Sequence, residues 1–193
     1  MTLDVPAGFF YRPDVISTAE EAELLPSVRA FDYTAIEMRG QVARRRSVHF
    51  GWLYGYESWR IEPGPPMPDA LLPLRARAAA LVGIEPESLV EALVTEYPVG
   101  TGIGWHRDAP QFGVVVGISL LGACRMRFQR GAGAARQTRA VVLEPRSAYA
   151  FVGEARWQWQ HSIPAMKTPR YSITFRTLRE GDAPRSGARP SPG

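Results

Sequence analysis

The run His106-Arg107-Asp108 sets an imidazole and a carboxylate two positions apart. In an extended chain, residues i and i+2 project to the same side, so His106 and Asp108 can grip one ion together while Arg107 turns away. A third ligand must come from elsewhere in the fold. The chain holds three histidines, His49, His106 and His161, and His161 is the natural candidate. Two imidazoles and one carboxylate leave about three positions of an octahedral ion open, which suits a redox metal that binds a co-substrate and oxygen side by side. That favours Fe(II) over a structural zinc. An isolated H-x-D also occurs as a surface hydrogen-bonded pair, so its meaning depends on what surrounds it.

Nine residues after His161 begins Arg170-Tyr171-Ser172-Ile173-Thr174-Phe175-Arg176. Read as a strand, Arg170, Ser172, Thr174 and Arg176 line one face and Tyr171, Ile173 and Phe175 the other. Two guanidinium groups on one buried face need an anion to neutralise them. A dicarboxylate fits, because the planar guanidinium fork meets a carboxylate with two parallel hydrogen bonds. The alternative is an edge strand with exposed arginines, or pairing to protein acids such as Glu144 or Glu154.

A third group of residues can select a substrate. Residues 39-60 hold Arg39, Arg44, Arg45, Arg46, His49, Phe50, Trp52, Tyr54, Tyr56, Trp59 and Arg60. Arginines neutralise phosphates and aromatic faces stack on a base pulled from its helix, so this segment is expected to act as a nucleic-acid-facing lid. Arg44, Arg46, His49, Phe50, Trp52 and Tyr54 are its candidate contacts. The alternative is a β-hairpin in which Phe50, Trp52 and Tyr54 alternate as the buried face while the arginines are solvated. His49 is expected to hydrogen-bond or stack rather than serve as a fourth metal ligand. Trp105, Trp157 and Trp159, near the metal-binding residues, are expected to be core.

Together, H-R-D, His161 and R-Y-S-I-T-F-R resemble the AlkB family of Fe(II)- and 2-oxoglutarate-dependent dioxygenases. Their tail motif is R-x-N-x-T-x-R, with Ser172 here in the place of Asn. The resemblance extends to Thr95-Glu96-Tyr97-Pro98-Val99-Gly100, similar to N-x-Y-x-x-G with Thr95 in the Asn position. It also takes in Arg44 to Gly51, Leu143 to Ser147 and Gly153 to Arg156, and spans about residues 10 to 179. It implies that His106, Asp108 and His161 ligate iron and are the catalytic residues. It implies that Arg170 meets the distal carboxylate of 2-oxoglutarate with help from the Tyr97 phenol. Arg176 would sit near the carboxylate at the metal end, with Ser172, Thr174 and Thr95 lining the same pocket. The activity implied is oxidative dealkylation of N-alkylated bases in DNA or RNA, consuming O2 and releasing succinate, CO2 and formaldehyde. An RNA-modifying hydroxylase, for instance on tRNA, is the alternative within the family, and a non-catalytic nucleic-acid-binding module the alternative outside it. Repair-type members often carry an acidic residue just past the metal-binding Asp, where this chain has Ala109-Pro110-Gln111-Phe112. The identity of the base stays open.

The elements that must position these groups follow from periodicity. Ser17 and Glu20 form a capping-box pattern that starts a helix over Ser17 to Leu25, ended by Pro26. A second helix is expected from Asp69 to Gly83, with Asp69 as cap, Pro73 in the first turn, and Leu71, Leu74, Ala78 and Leu81 on one face. Strands are expected near 89-97, 114-121, 123-129, 138-144, 147-152 and 170-178, with Gly131 to Ala134 as a turn. Helices followed by antiparallel strands give an α+β class, a double-stranded β-helix or jelly-roll with N-terminal helices packed on one sheet.

At 193 residues with 45% hydrophobic content, the chain suits one domain over 1-179. Residues 180-193, rich in Pro, Gly, Arg and Ser, are expected to be a disordered tail. A net charge of +4 permits a polyanionic partner without requiring one. The single Cys124 cannot form an internal disulfide and is expected to be buried, which points to a reducing cytoplasm. No apolar run reaches the roughly 18 residues of a membrane span, so a soluble protein is expected, with no obligate protein partner evident.

Overall fold

A computed structural model describes residues 4–38, 41–54 and 61–179; Arg39, Tyr56, Trp59, Arg60, the side chain of Tyr54 and the 180-193 segment lie outside it. The chain opens with strand β1 (Phe9–Arg12) and helix α1 (Thr18–Arg29). Ser17 caps α1 through a full capping box with Glu20. The helix runs past Pro26, contrary to expectation. Proline removes one backbone donor, but Leu25 and Val28 on either side of it are buried in the core, and that burial carries the helix on to Arg29.

Strands β2 (Thr34–Met38), β3 (Gln41–Tyr54) and β4 (Ile61–Pro63) follow. Gly51, at φ +80°, bends β3: a Cβ there would lie 2.0 Å from the Val90 carbonyl oxygen, so only glycine fits. Asp69 does not cap the second helix. It opens a 3-10 turn, and helix α2 (Leu72–Val82) starts from Leu71 without a side-chain cap and ends on the left-handed Gly83.

The rest of the chain is β-rich: β5 (Glu91–Tyr97), β6 (Ile103–His106), β7 (Phe112–Leu121), β8 (Cys124–Arg130), β9 (Gln137–Leu143), β10 (Ala148–Phe151), a short α3 (Gly153–Trp157), β11 (Gln160–Ile163) and β12 (Arg170–Leu178). Among the described residues these form two antiparallel sheets. The larger has the order β1-β10-β7-β12-β5-β3-β2, with β4 paired to β3, and the smaller the order β6-β11-β8-β9. This is a jelly-roll in which β12 is central to the larger sheet.

Two cores follow from strand alternation. Tyr171, Ile173 and Phe175 of β12 join Val116, Ile118, Leu120, Ala92 and Val94 in a cluster with Leu25 and Val28 of α1 and Leu74 and Ala78 of α2. The second cluster fills the space between the sheets with Phe9, Tyr149, Phe151, Met126, Phe128, Leu143 and Trp159. Cys124 is buried in it. The other face of β12 therefore points between the sheets, where four polar side chains stand against an apolar lining.

Candidate active site

On that inner face Arg170, Ser172, Thr174 and Arg176 are all buried. Arg170 is 0% exposed. Its Nε donates to Ser119 Oγ at 2.8 Å, its Nη2 donates to Ser172 Oγ at 3.3 Å, and Nη1 has no partner. Tyr97 lies directly across the β5–β12 ladder from Arg170, whose guanidinium carbon sits 5.2 Å from the centre of the Tyr97 ring. Burial pushes the Tyr97 phenol up to about 12, with Arg170 opposing, so it stays protonated and able to donate. Tyr149 adds a second hydroxyl, 3.3 Å from Ser172 Oγ. Its ring occupies the space above Gly117, where a Cβ would come within 2.2 Å of it. Thr95 faces Ser172 across the ladder, and Thr174 faces Gly117. A fully buried cation with no carboxylate beside it among the described residues, and with an Nη1 that has no hydrogen-bond partner, is left unneutralised. An anionic ligand fits it.

His106 and His161 are cross-strand partners on β6 and β11, with ring centres 4.2 Å apart. Gly104 O lies 2.9 Å from His106 Nδ1, and since a carbonyl only accepts, Nδ1 is the donor and Nε2 is the ring nitrogen left for a metal. His161 is stacked on Phe151 at 4.7 Å. Burial and the neighbouring His106 lower its pKa to about 3, so its imidazole is neutral and free to ligate. Asp108 Oδ2 lies 3.7 Å from His161 Nε2. Burial works against ionising Asp108, but Arg176, His161 and His106 override it and hold the carboxyl well below the usual range. Among the described residues no three acidic, imidazole or thiol groups close into a formed cage. The three side chains are instead neighbours, and His161 and Asp108 are in the protonation states a metal ligand needs. That donor set, two neutral imidazoles and one carboxylate, fits a divalent transition metal.

Arg176 is engaged by protein acids, though not those the sequence offered. Its Nε and Nη2 donate to Asp108 Oδ1 at 3.2 and 2.7 Å, and its Nη1 donates to Glu91 Oε2 at 2.8 Å. Neither Glu144 nor Glu154 takes part. Of the two arginines of β12, only Arg170 lacks an acidic partner within the described residues.

Arg156 of α3, 3% exposed, holds the loop after Asp108. It donates to the carbonyls of Asp108 (3.4 Å), Ala109 (2.8 Å), Phe112 (2.7 Å) and Gly113 (2.8 Å). Replacement by leucine strands the buried Phe112 carbonyl and removes donors from the part-buried carbonyls of Asp108 and Gly113, a stranded buried acceptor alone being worth about 1–3 kcal/mol. Arg156→Leu is therefore expected to lower stability by about 3 kcal/mol and to speed amide exchange across residues 108-113. Denaturant titration and hydrogen exchange check it; a loss under about 1 kcal/mol with unchanged exchange refutes the clamp.

The expected substrate contacts divide. Phe50 is a correction: it is buried, packs edge-on against Phe31 at 5.0 Å and belongs to the helix-side core. Arg46 lies toward that side too, ion-paired with Glu96 and 5.8 Å from the centre of the Tyr33 ring. Arg44 is exposed and Trp52 half-buried. His49 faces the site, its Nδ1 3.0 Å from Glu91 Oε1. Ser47 and His49, opposite Thr95 and Leu93 of β5, stand on the inner side of β3. Before the bend at Gly51, then, Arg46 and Phe50 turn to the helix side while Ser47 and His49 turn to the pocket. Trp159 is core, as expected, whereas Trp105 and Trp157 are exposed. Glu91, Ser119, Tyr149 and Arg156 were not singled out from the sequence; for Glu91 the available signal was an acid sharing a strand face with Thr95 and Tyr97.

With the geometry in place, comparison with known proteins adds five matches. Residues 9–176 match the model of the 2OG-Fe(II) oxygenase superfamily. An Arabidopsis thaliana protein named "Alkylated DNA repair protein ALKBH8 homolog" is 28% identical over 213 aligned positions, covering 92% of this chain and 60% of the relative. The Mus musculus "tRNA (carboxymethyluridine(34)-5-O)-methyltransferase ALKBH8" is 29% identical over 175 positions, 86% of this chain and 25% of the relative. A Danio rerio "Probable RNA/DNA demethylase ALKBH6" is 33% identical over 110 positions, 56% and 44% of the two chains. The chain thus spans less than two thirds of these relatives' lengths. Among solved structures, that of OsALKBH1 superposes with a TM-score of 0.70 at 15% identity, over 90% of this chain and 98% of that one, a likeness of fold.

Proposed function

Because this chain belongs to the 2OG-Fe(II) oxygenase superfamily, within its AlkB-like members, we propose that it is a dioxygenase that oxidatively dealkylates N-alkylated bases of DNA or RNA. His106, Asp108 and His161 hold the iron, and Arg170 takes the far carboxylate of 2-oxoglutarate. The observation that carries this is the unpartnered Nη1 of a fully buried Arg170 on the same strand face as the arginine bound to Asp108.

When bound, iron with 2-oxoglutarate and O2 supplies the oxidising power, turning the co-substrate into succinate and CO2 and placing one oxygen atom on a substrate C–H bond. The protein's own part is positional. Arg170 anchors the dicarboxylate at the closed end, flanked by the protonated Tyr97, Ser172 and Tyr149 hydroxyls. Thr95 and Thr174 complete the polar lining, and the apolar core between the sheets excludes water. His106 and His161 offer ring nitrogens, and Asp108 brings the single negative charge. A hydroxylated N-methyl group is a hemiaminal and falls apart to formaldehyde and the bare base.

The nucleic-acid substrate is supported by the names of the Arabidopsis and zebrafish relatives. The mouse relative's name favours a second reading, hydroxylation of a tRNA base. In the same reading, residues 39-60 form the substrate lid, with Arg44, His49, Trp52 and Tyr54 as its contacts, while Arg46 is taken up by Glu96 on the helix side. Residues 1-179 form one catalytic domain followed by the 180-193 tail. No described helix is long and apolar enough to cross a membrane, and the lone buried Cys124 supports a reducing cytoplasm as its setting.

The test is a panel of methylated bases in single- and double-stranded DNA, RNA and tRNA, with iron, ascorbate and 2-oxoglutarate. Formaldehyde released in step with succinate on methylated DNA or RNA supports dealkylation. A hydroxylated tRNA base without formaldehyde supports the second reading. Succinate formation that no nucleic acid stimulates overturns both.

A further inference from the structure

Glu91 opens β5 on the strand face that carries Thr95 and Tyr97, and it is 1% exposed. It sits directly across the ladder from Arg176, and the Val90 N–H donating to the Arg176 carbonyl at 2.9 Å fixes that register. Both its oxygens are in use: Oε2 accepts from Arg176 Nη1 at 2.8 Å, and Oε1 lies 3.0 Å from His49 Nδ1 of β3. A guanidinium is a rigid plane whose N–H groups point along fixed directions. With Nη1 held by Glu91, the edge formed by Nε and Nη2 is turned onto Asp108, and both meet the same atom, Oδ1. The other carboxylate oxygen, Oδ2, is left on the side of His161 Nε2.

From this we infer that Glu91 is a positioning residue for the metal site. It acts through Arg176 to present Asp108 to the metal by one oxygen, and it shares the Arg176 charge so that Asp108 keeps its negative charge for the ion. A guanidinium serving Asp108 alone would be free to turn about its side chain and would draw more of that charge to itself. Both Glu91 oxygens are committed to Arg176 and His49, so its effect on the metal site runs through Arg176. The inference rests on Asp108 being a metal ligand, as proposed above.

The experiment measures Mn(II) binding to the metal-free full chain by calorimetry, then 2-oxoglutarate binding at saturating Mn(II). Outer partners of metal ligands are worth about 10–100-fold in affinity, so Glu91→Gln is expected to weaken Mn(II) about tenfold. Its 2-oxoglutarate affinity should stay level or tighten, since the pocket has lost a negative charge. A merely structural role predicts something else: a smaller binding-competent fraction, with both affinities unchanged per site or both reduced. His49→Phe, which keeps both buried charges and frees only Oε1, gives a second test if the glutamine variant does not fold, and should weaken Mn(II) in the same direction but less. Asp108→Ala is the control. If it loses Mn(II) affinity while Glu91→Gln and His49→Phe bind as wild type does, the role of Glu91 is overturned and the metal assignment stands. If Asp108→Ala binds Mn(II) as wild type does, the metal assignment itself fails.

Discussion

Arg170→Lys raises the 2-oxoglutarate concentration needed for half-maximal turnover by about 10–100-fold, while Mn(II) binding in the absence of co-substrate stays within about twofold of wild type. The size follows from what lysine cannot replace. Arginine presents a fork of parallel donors to a carboxylate, and a charged hydrogen bond contributes about 1.5–3 kcal/mol, so losing one of two corresponds to about 10–150-fold in affinity. Lysine also loses the bond from Nε to Ser119 Oγ at 2.8 Å, which orients the side chain. The asymmetry between co-substrate and metal follows from contacts. Arg170 bonds to Ser119 and Ser172 and packs on Tyr97, whereas the metal-binding side chains are held by Arg176, Gly104 and Phe151. Steady-state kinetics over a range of 2-oxoglutarate, beside calorimetric Mn(II) titration, separates the two effects. An unchanged co-substrate requirement would mean that the free Nη1 is not where the dicarboxylate binds.

Arg170 was legible in the sequence because β12 lies between two layers. A strand turns successive side chains to opposite faces, and a polar/apolar period of two is written directly into R-Y-S-I-T-F-R, so both arginines fall on one face. In β3 the lid reading takes in residues of both parities, and the hairpin alternative is the one that puts Phe50 on the buried face, where it lies; period two fixes which residues go together and not which set turns toward the site. That choice depends on the pairing of Ser47 with Thr95 and His49 with Leu93, a contact between strands far apart in the chain. Short β6 and β11, four residues each, were missed for a related reason. Too brief to show a period, they are strands because each pairs with partners distant in sequence. Local signals fared better where the physics is local. The Ser17–Glu20 capping box is in place, whereas the stop expected at Pro26 yielded to the burial of Val28. Glu91 shows the limit most plainly: its bond to Arg176 joins positions 85 residues apart, and no spacing within either strand announces it.

The largest effect is expected at Asp108, the one residue that both belongs to the metal-binding set and anchors an arginine of the co-substrate strand. Removing a mere outer partner of a metal ligand weakens a site about 10–100-fold, so losing the ligand itself should exceed about 100-fold in Mn(II) affinity and leave succinate production near background. Two rival causes of inactivity have to be separated. Collapse of the fold is the first, and the surroundings of Arg176 argue against it. In Asp108→Ala the buried guanidinium keeps its 2.8 Å bond to Glu91, so no uncompensated charge is left behind. The thermal midpoint should therefore fall only modestly, and circular dichroism should match wild type. The second is loss of co-substrate binding through Arg170, which does not touch Asp108, so the Arg170→Lys pattern, a raised requirement with metal affinity preserved, should not be seen. Asp108→Ala should show the inverse, a lost metal with Arg170 and its pocket intact. Equal turnover by wild type and Asp108→Ala would remove the carboxylate from the metal, and with it the reason for two imidazoles to face each other beside a buried strand face that carries two arginines.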